Sequence, residues 1–293
     1  MTVFKAGTFR AGLIQTNVSN EMADNVAFVQ DQARLARDAG ADFIMTPENT
    51  GLIGANRTET LEKAQTEESH GMLAACRASA RETGAWFLLG GIHVRVPGEE
   101  QIRNRSYLID DSGGIVASYD KIHMFDVRLA GGENYFESAT FKPGERAVLA
   151  ETPWGVLGMT ICYDLRFPYL YRELAHAGAT MLAIPSSFTV PTGKAHWHTI
   201  LRSRAIETGC FVFAPAQVGT HKGSGRKTYG HSIAIAPWGE VLADAGGETA
   251  GFVVADIDLA KVEEARKMVP SLQHDRKYAA PVLHKAAMAK AAE

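Results

Sequence analysis

Short apolar runs alternate with amphipathic stretches from one end of the chain to the other. Residues 9–18 read as a strand, and Ala, Val and Leu at helical spacing predict a helix over 22–39. Residues 42–47 form a short apolar strand that stops at Pro47, with Glu48 immediately beyond it. A long helix is predicted over 58–83. Three strands follow over 86–96, 103–110 and 115–121, separated by the turn signals of 97–100 and 110–114. The second half repeats the theme, with strands over 147–152, 155–161, 181–185, 211–218, 231–236 and 252–257. Helices are predicted over 168–177 and 196–208, the latter stopped by Gly209, and a charged helix begins near Asp258. Strands mixed with helices in this way imply an α/β (mixed α+β) fold whose helices cover the outer faces of sheets.

No fixed-period repeat and no Pro-, Gly- or Ser-rich linker divides the sequence, so residues 1–280 are expected to form one domain. The alanine-rich segment 281–293 has few large apolar side chains to anchor it and is expected to fray or to reach over a neighbouring copy.

Composition excludes more than it identifies. With 293 residues, 46% of them hydrophobic, there is ample material for a large core. A net charge of −3 gives no reason to expect nucleic acid as a partner. The basic group Lys222, Arg226 and Lys227 is short, interrupted by glycine, and reads as a solvated loop. No run reaches the roughly 18–20 apolar residues of a membrane span, and residues 1–8 lack the pattern of an export signal. Three widely spaced cysteines without a CxxC pair speak against a disulfide framework and a thiolate zinc site, and suit a reduced, cytoplasmic setting.

Three residues change this picture. Cys162 ends an apolar strand and enters the turn Tyr163–Asp164–Leu165–Arg166–Phe167–Pro168 before a helix, where free backbone N–H groups can hold an anion. A thiol there attacks an acyl carbon once a base takes its proton. Taken alone, a cysteine is more often a small buried hydrophobe, which is how Cys76 and Cys210 read. Glu48 follows a hydrophobic strand directly, the place for a helix-entry or loop carboxylate or for a desolvated base with a raised pKa. Lys121 sits at an apolar strand end, where an unpaired ammonium would be expensive and Glu48 would supply the partner.

Strand-end segments carrying Glu, Lys and Cys in that order resemble the nitrilase superfamily of carbon–nitrogen hydrolases. The likeness runs from residues 12–15 through Pro47–Glu48, Lys121–Ile122–His123 and the Cys162–Pro168 block to Tyr229–Gly230–His231–Ser232 and Pro237–Trp238–Gly239. The resemblance implies a four-layer α-β-β-α sandwich, paired through its helical layers into a homodimer or higher homo-oligomer, with Tyr169–Leu170–Tyr171 near the interface. It also implies hydrolysis of a small carboxylated amide to acid and ammonia through a thioester on Cys162, without a cofactor. Glu48 would act as base, and Lys121 with the Tyr163 backbone N–H would hold the oxyanion. Glu137 matches a second glutamate of the family that holds the lysine or positions substrate.

Within the superfamily, Lys121–Val127 with Gly131–Gly132–Glu133 and Glu137–Ser138 after it, and Ser187–Trp197, are similar to the branch of omega-amidases and deaminated-glutathione amidases, with Ser187–Trp197 closer to the latter. His198 departs from it, since an acidic residue is expected after His196–Trp197. Arg166 is a candidate anchor for a substrate carboxylate, or else a partner of Asp164. Ser187 and Phe188 would form another wall. A metal site is not expected, because His196 and His198, two apart on a helix, point to different faces. Carbamoyl-amino acids, other ω-amides, nitriles and an idle dimeric scaffold are the alternatives that remain at this level.

Overall fold

The computed structural model describes residues 7–128, 132 and 134–284. The first half of the chain contributes strands β1 (Thr8–Gln15), β2 (Phe43–Met45), β3 (Gln65–Thr66), β4 (Trp86–Arg95), β5 (Arg103–Ile109) and β6 (Ile115–Asp120). Helices α1 (Met22–Asp38), α2 (Arg57–Lys63) and α3 (Gly71–Thr83) lie between them. A ribbon of β7 (Asp126–Arg128) and β8 (Asn134–Phe136) leads into the second half. That half holds β9 (Val148–Glu151), β10 (Val156–Met159), α4 (Pro168–His176), β11 (Met181–Ala183), α5 (Val190–Thr208) and β12 (Phe211–Ala214). A second ribbon, β13 (Val218–Thr220) with β14 (Lys227–Tyr229), precedes β15 (Ile233–Ile235) and β16 (Val241–Asp244). Strand β17 (Gly251–Asp258) then returns to the first sheet, followed by α6 (Ala260–Met268).

The two large sheets have strand orders β17-β1-β2-β4-β5-β6, with β3 beside the far end of β4, and β16-β15-β12-β11-β10-β9. Alternation along the strands decides which way each side chain faces. Leu13, Phe43, Met45 and Leu88 enter a core shared with Leu157, Met159, Phe211 and Phe213 of the second sheet. Their neighbours Ile14, Ile44, Phe87 and Leu89 point the other way and pack against Val29 and Ala33 of α1 and Leu73 and Cys76 of α3. Leu170 and Leu174 of α4 and Trp197 and Leu201 of α5 cover the second sheet. The result is the four-layer α-β-β-α sandwich.

Two sequence expectations differ from the structure for local reasons. The helix over 58–83 is broken, because Gln65 and Thr66 pair with Val94 and Arg95 at the end of β4 and the polar run up to Gly71 offers no apolar stripe. The strand over 211–218 stops at Ala214, before Pro215, which has no N–H for the ladder. Gly209 does end α5, at φ 60°. The segment 281–293 lies mostly outside the described residues, as do Gly131 and Glu133.

Candidate active site

Glu48 is placed by the chain just beyond β2. Thr46 continues the pairing, its N–H donating to the Leu88 carbonyl at 2.9 Å and its hydroxyl accepting from the Gly90 N–H at 3.0 Å. Opposite them β4 carries an irregularity between Leu89 and Ile92, where Gly90 and Gly91 allow a very close approach. A Cβ on Gly90 would lie 2.1 Å from the Pro47 carbonyl oxygen, and one on Gly91 would lie 2.0 Å from Asn104 Oδ1. At Gly90 the obstacle is backbone and only glycine fits; at Gly91 it is the Asn104 side chain, which a larger residue would have to displace. Asn49 then takes a left-handed turn (φ 63°), its N–H on the Gly91 carbonyl at 2.6 Å, while Gln217 Nε2 donates to the Glu48 carbonyl at 2.9 Å.

Cys162 is held with comparable firmness. Its φ is 49°, a conformation L-residues adopt only under constraint. Its N–H donates to the Pro185 carbonyl at 3.0 Å. The fully buried Asp164 ties the same turn to the end of β6: it accepts from the Ile161 N–H at 2.9 Å, the Tyr119 hydroxyl at 2.7 Å and the His123 N–H at 3.0 Å. The His123 ring lies flat on Phe167, 3.5 Å between centroids, which makes His123 a structural part of the turn.

These strand ends bring four side chains together. Lys121 Nζ donates to Glu48 Oε1 at 2.8 Å and to both Glu137 oxygens at 2.8 Å. Asn104 Nδ2 donates to Glu48 Oε1 at 2.9 Å, and the Phe125 N–H donates to Glu137 Oε2 at 2.6 Å. Lys121 and Glu48 are almost sealed from solvent, at 2% and 3% exposure. Burial by itself would raise the Glu48 carboxyl and lower the Lys121 ammonium. For Glu48, the Lys121 charge and hydrogen bond, a hydrogen bond with Cys162 and the field of Arg226 outweigh burial, so it lies below its ordinary 4.5 and is ionised at neutral pH. For Lys121, the two glutamates outweigh burial and hold the ammonium charged. Burial and the Glu48 charge push the Cys162 thiol up against the opposing pull of Lys121 and of a hydrogen bond from the Ser187 N–H. At rest the site therefore holds a thiol beside a carboxylate.

Glu48, Lys121, Glu137 and Cys162 all face one cavity of about 800 Å³, whose walls also include Tyr163, Ser187 and Phe188. Arg166 is not among the residues lining it. Its guanidinium lies over the Tyr163 and Phe188 rings, 5.9 and 5.5 Å from their centroids, and meets His196 rather than Asp164. Cys76 and Cys210 are buried elsewhere in the cores. Away from the cavity, His198 and His231 both hydrogen-bond Asp244 at 2.9 Å, with ligand atoms mutually within 4.8 Å. The spacing of His196 and His198 could not reveal that group, since its other members come from the β14–β15 turn and β16.

Three contributors escaped the sequence reading. Asn104 and Asp164 lie in otherwise ordinary strand and turn patterns and gain their meaning only from what they touch. In the sequence Arg226 reads with Lys222 and Lys227 as a solvated loop; in the structure the two lysines are exposed, but Arg226 is half-buried in the cavity wall.

Comparison with known proteins agrees with this geometry. The family model described as carbon–nitrogen hydrolase matches residues 10–267. A deaminated glutathione amidase from Synechocystis sp. is 39% identical over 269 residues, covering 91% of this chain and 97% of that protein. The deaminated glutathione amidase of Mus musculus is 43% identical over 254 residues, covering 85% of this chain and 76% of that protein. Among solved structures, the nitrilase and fragile histidine triad fusion protein NitFhit of Caenorhabditis elegans superposes with a TM-score of 0.86 at 35% identity, over 92% of this chain and 66% of that one. The match spans both sheets and every strand end that feeds the cavity, so the chain belongs to the carbon–nitrogen hydrolase family, and its reaction is the hydrolysis of an amide.

Proposed function

We propose that the chain hydrolyses a small carboxylated amide of the deaminated-glutathione class through a thioester on Cys162. The observation that carries this reading is the juxtaposition of an ionised, buried Glu48 with the Cys162 thiol beside a lysine held on two carboxylates. Glu48 takes the thiol proton as Cys162 Sγ bonds to the amide carbon. The carbonyl oxygen becomes an oxyanion held by Lys121 and by the Tyr163 backbone N–H, which lies in the first turn of a 3₁₀ helix where no intrahelical partner exists. The tetrahedral centre collapses, the C–N bond breaks, and the proton on Glu48 passes to the departing nitrogen. Water, deprotonated by Glu48, then attacks the thioester and restores the thiol as the acid leaves. Glu137 positions Lys121 throughout, since both its oxygens are occupied by that ammonium.

Support for the substrate class comes from the two amidases at 39% and 43% identity and from the polar, cation-bearing cavity. A primary amide releases ammonia; deaminated glutathione, a secondary amide, releases the amine of its dipeptide portion. The test is turnover of deaminated glutathione, α-ketoglutaramate, a carbamoyl-amino acid and a nitrile, followed by both ammonia and free-amine detection, beside Cys162→Ala. Turnover led by deaminated glutathione and absent from the mutant is expected. A lead by α-ketoglutaramate would move the assignment to an omega-amidase, and silence on every amide would favour an idle scaffold.

The same reading takes residues 1–280 as one working unit in the cytoplasm, which three free, buried cysteines support. Among the described residues no helix is long and apolar enough to cross a membrane. Pairing of two copies through the helical layer is supported by Tyr169 of α4, Ile206 of α5 and Met268 of α6, each more than half exposed. Light scattering coupled to size exclusion decides the oligomeric state.

A further inference from the structure

Two buried hydrogen-bond donors in the cavity wall have no partner among the described residues: Arg226 Nε and Ser187 Oγ. Orphaned buried donors are rare because each carries a desolvation cost, and in residues that line a cavity they mark a place where an acceptor is missing. They are also neighbours, since an Arg226 terminal nitrogen donates to the Ser187 carbonyl at 2.9 Å. Among the described residues no carboxylate is ion-paired with Arg226; its guanidinium is instead steadied over the Tyr135 ring, 5.4 Å from the centroid. Its charge reaches Glu48 strongly enough to help hold that carboxyl down.

The mounting is rigid. Arg226 closes the β13–β14 hairpin, its carbonyl accepting from the His221 N–H at 2.9 Å. The buried His221 ring bridges the Val18 carbonyl and the Thr228 hydroxyl, both at 2.8 Å. The hairpin is thus pinned to the body of the protein on either side of Arg226.

We propose that Arg226 Nε–H and Ser187 Oγ–H form the subsite for the free carboxylate on the acyl half of the substrate. A guanidinium whose Nε has no partner among the described residues is the donor that a carboxylate matches best. The bond that breaks sets which carboxylate is meant. Ser187, Arg226 and Cys162 line one cavity, and the Ser187 carbonyl accepts from an Arg226 N–H at 2.9 Å, so the anchor and the nucleophile share that space. A carboxylate on the acyl half stays with Cys162 through the thioester and can be held for both halves of the reaction; one at the far end of a departing dipeptide leaves with the amine. The subsite rests on the amidase reading above, and it predicts that deaminated glutathione and α-ketoglutaramate, which share their acyl half, use the same anchor.

The test separates binding from turnover. In the Cys162→Ala background, calorimetry compares glutaramate with glutaramide, which differ only in a carboxylate replaced by a carboxamide. Glutaramate is expected to bind at least 10-fold more tightly. That preference should collapse to within about 3-fold on adding Arg226→Gln, recover in part with Arg226→Lys, and shrink with Ser187→Ala. Circular dichroism checks folding, and the lysine variant carries the test if the glutamine variant unfolds. Equal binding of the two ligands, or a preference that survives Arg226→Gln, overturns the subsite. A preference that behaves as expected in a protein that turns over no amide would instead remove the functional reading and leave the subsite standing.

Discussion

The close approach of β4 to the Glu48 segment makes a prediction that static contacts alone allow to be worked through. A Cβ added at Gly91 meets Asn104 Oδ1 at 2.0 Å and Asn104 Cγ at 3.1 Å, while its distance to Glu48 Cγ, 3.4 Å, is tolerable. The obstacle is one side chain. Gly91→Ala should therefore fold with Asn104 displaced, at the roughly 1–3 kcal/mol typical of overpacking, or roughly 2–6 °C in Tm for a protein of this size. Displacement also removes the 2.9 Å hydrogen bond from Asn104 to Glu48 Oε1, and a misplaced base costs on the order of 10²-fold in rate. Asn104→Ala loses the same bond without the clash. The double variant Gly91→Ala/Asn104→Ala should then be about as stable as Asn104→Ala alone, and its kcat/KM no lower. Gly90→Ala behaves differently, because its Cβ would sit 2.1 Å from the Pro47 carbonyl, which is backbone and cannot rotate away. Its destabilisation should be larger and unrelieved by Asn104→Ala. Thermal unfolding and amide hydrolysis on the six proteins complete the cycle. A Gly91→Ala cost that persists undiminished in the Asn104→Ala background would refute the reasoning.

Further expectations follow from the buried charges. Glu137→Gln keeps an acceptor for the Phe125 N–H but removes a charge from Lys121, and should lower kcat on the order of 10²-fold in a folded protein; steady-state kinetics within 3-fold of wild type would sink the positioning role. Asp164→Asn weakens the clamp on the Cys162 turn, whose bonds to a charged acceptor are worth about 1.5–3 kcal/mol each, and should appear as a lower urea midpoint together with slower acylation in stopped flow. Cys162→Ala should stay folded, with an unchanged circular dichroism spectrum, and be inactive; loss of folding would make Cys162 chiefly a core residue. Burial depresses His70, His93 and His221 to about 4. The unfolded chain binds their protons near 6.5 and the folded one near 4, so stability is full above pH 6.5 and falls as pH drops toward 4. The slope is up to about 1.4 kcal/mol per pH unit for each histidine, and denaturant titrations at pH 7, 6 and 5 that show no decline would contradict it.

The central strands were legible as short apolar runs, because β2 and β4 are buried on both faces, Phe43 and Leu88 against the second sheet and Ile44 and Phe87 against the helices. Short pieces that owe their pairing to a distant partner were not. Gln65–Thr66 is a strand only because β4 runs past it, and the β7–β8 and β13–β14 ribbons carry no apolar stripe of their own. The same division holds in the site. Glu48, Lys121 and Cys162 stand out because each interrupts or ends an apolar run. Asn104 sits in a polar stretch of β5, and Arg226 among other basic residues, where nothing local distinguishes a buried guanidinium from a solvated one.

Charge accounting gives the arrangement around Lys121 its chemical sense. Glu48, Glu137 and Lys121 together carry a net charge of −1, with Glu48 and Lys121 almost sealed from solvent and the carboxylates held by Lys121, Asn104 and the Phe125 N–H. Creating a second unbalanced charge there would be costly at low dielectric. In the proposed acylation step Glu48 becomes neutral as the thiol proton arrives, and the new negative charge appears on the substrate oxygen. The number of buried charges stays constant while one negative charge moves from Glu48 to the oxyanion. Lys121 loses one of its three carboxylate contacts at that moment, and the N–H that faced Glu48 Oε1 becomes free for the oxyanion, while Glu137 still holds the ammonium in place. A single glutamate would leave the lysine unheld at the transition state, and a second one supplies the fixed point about which that donor is exchanged.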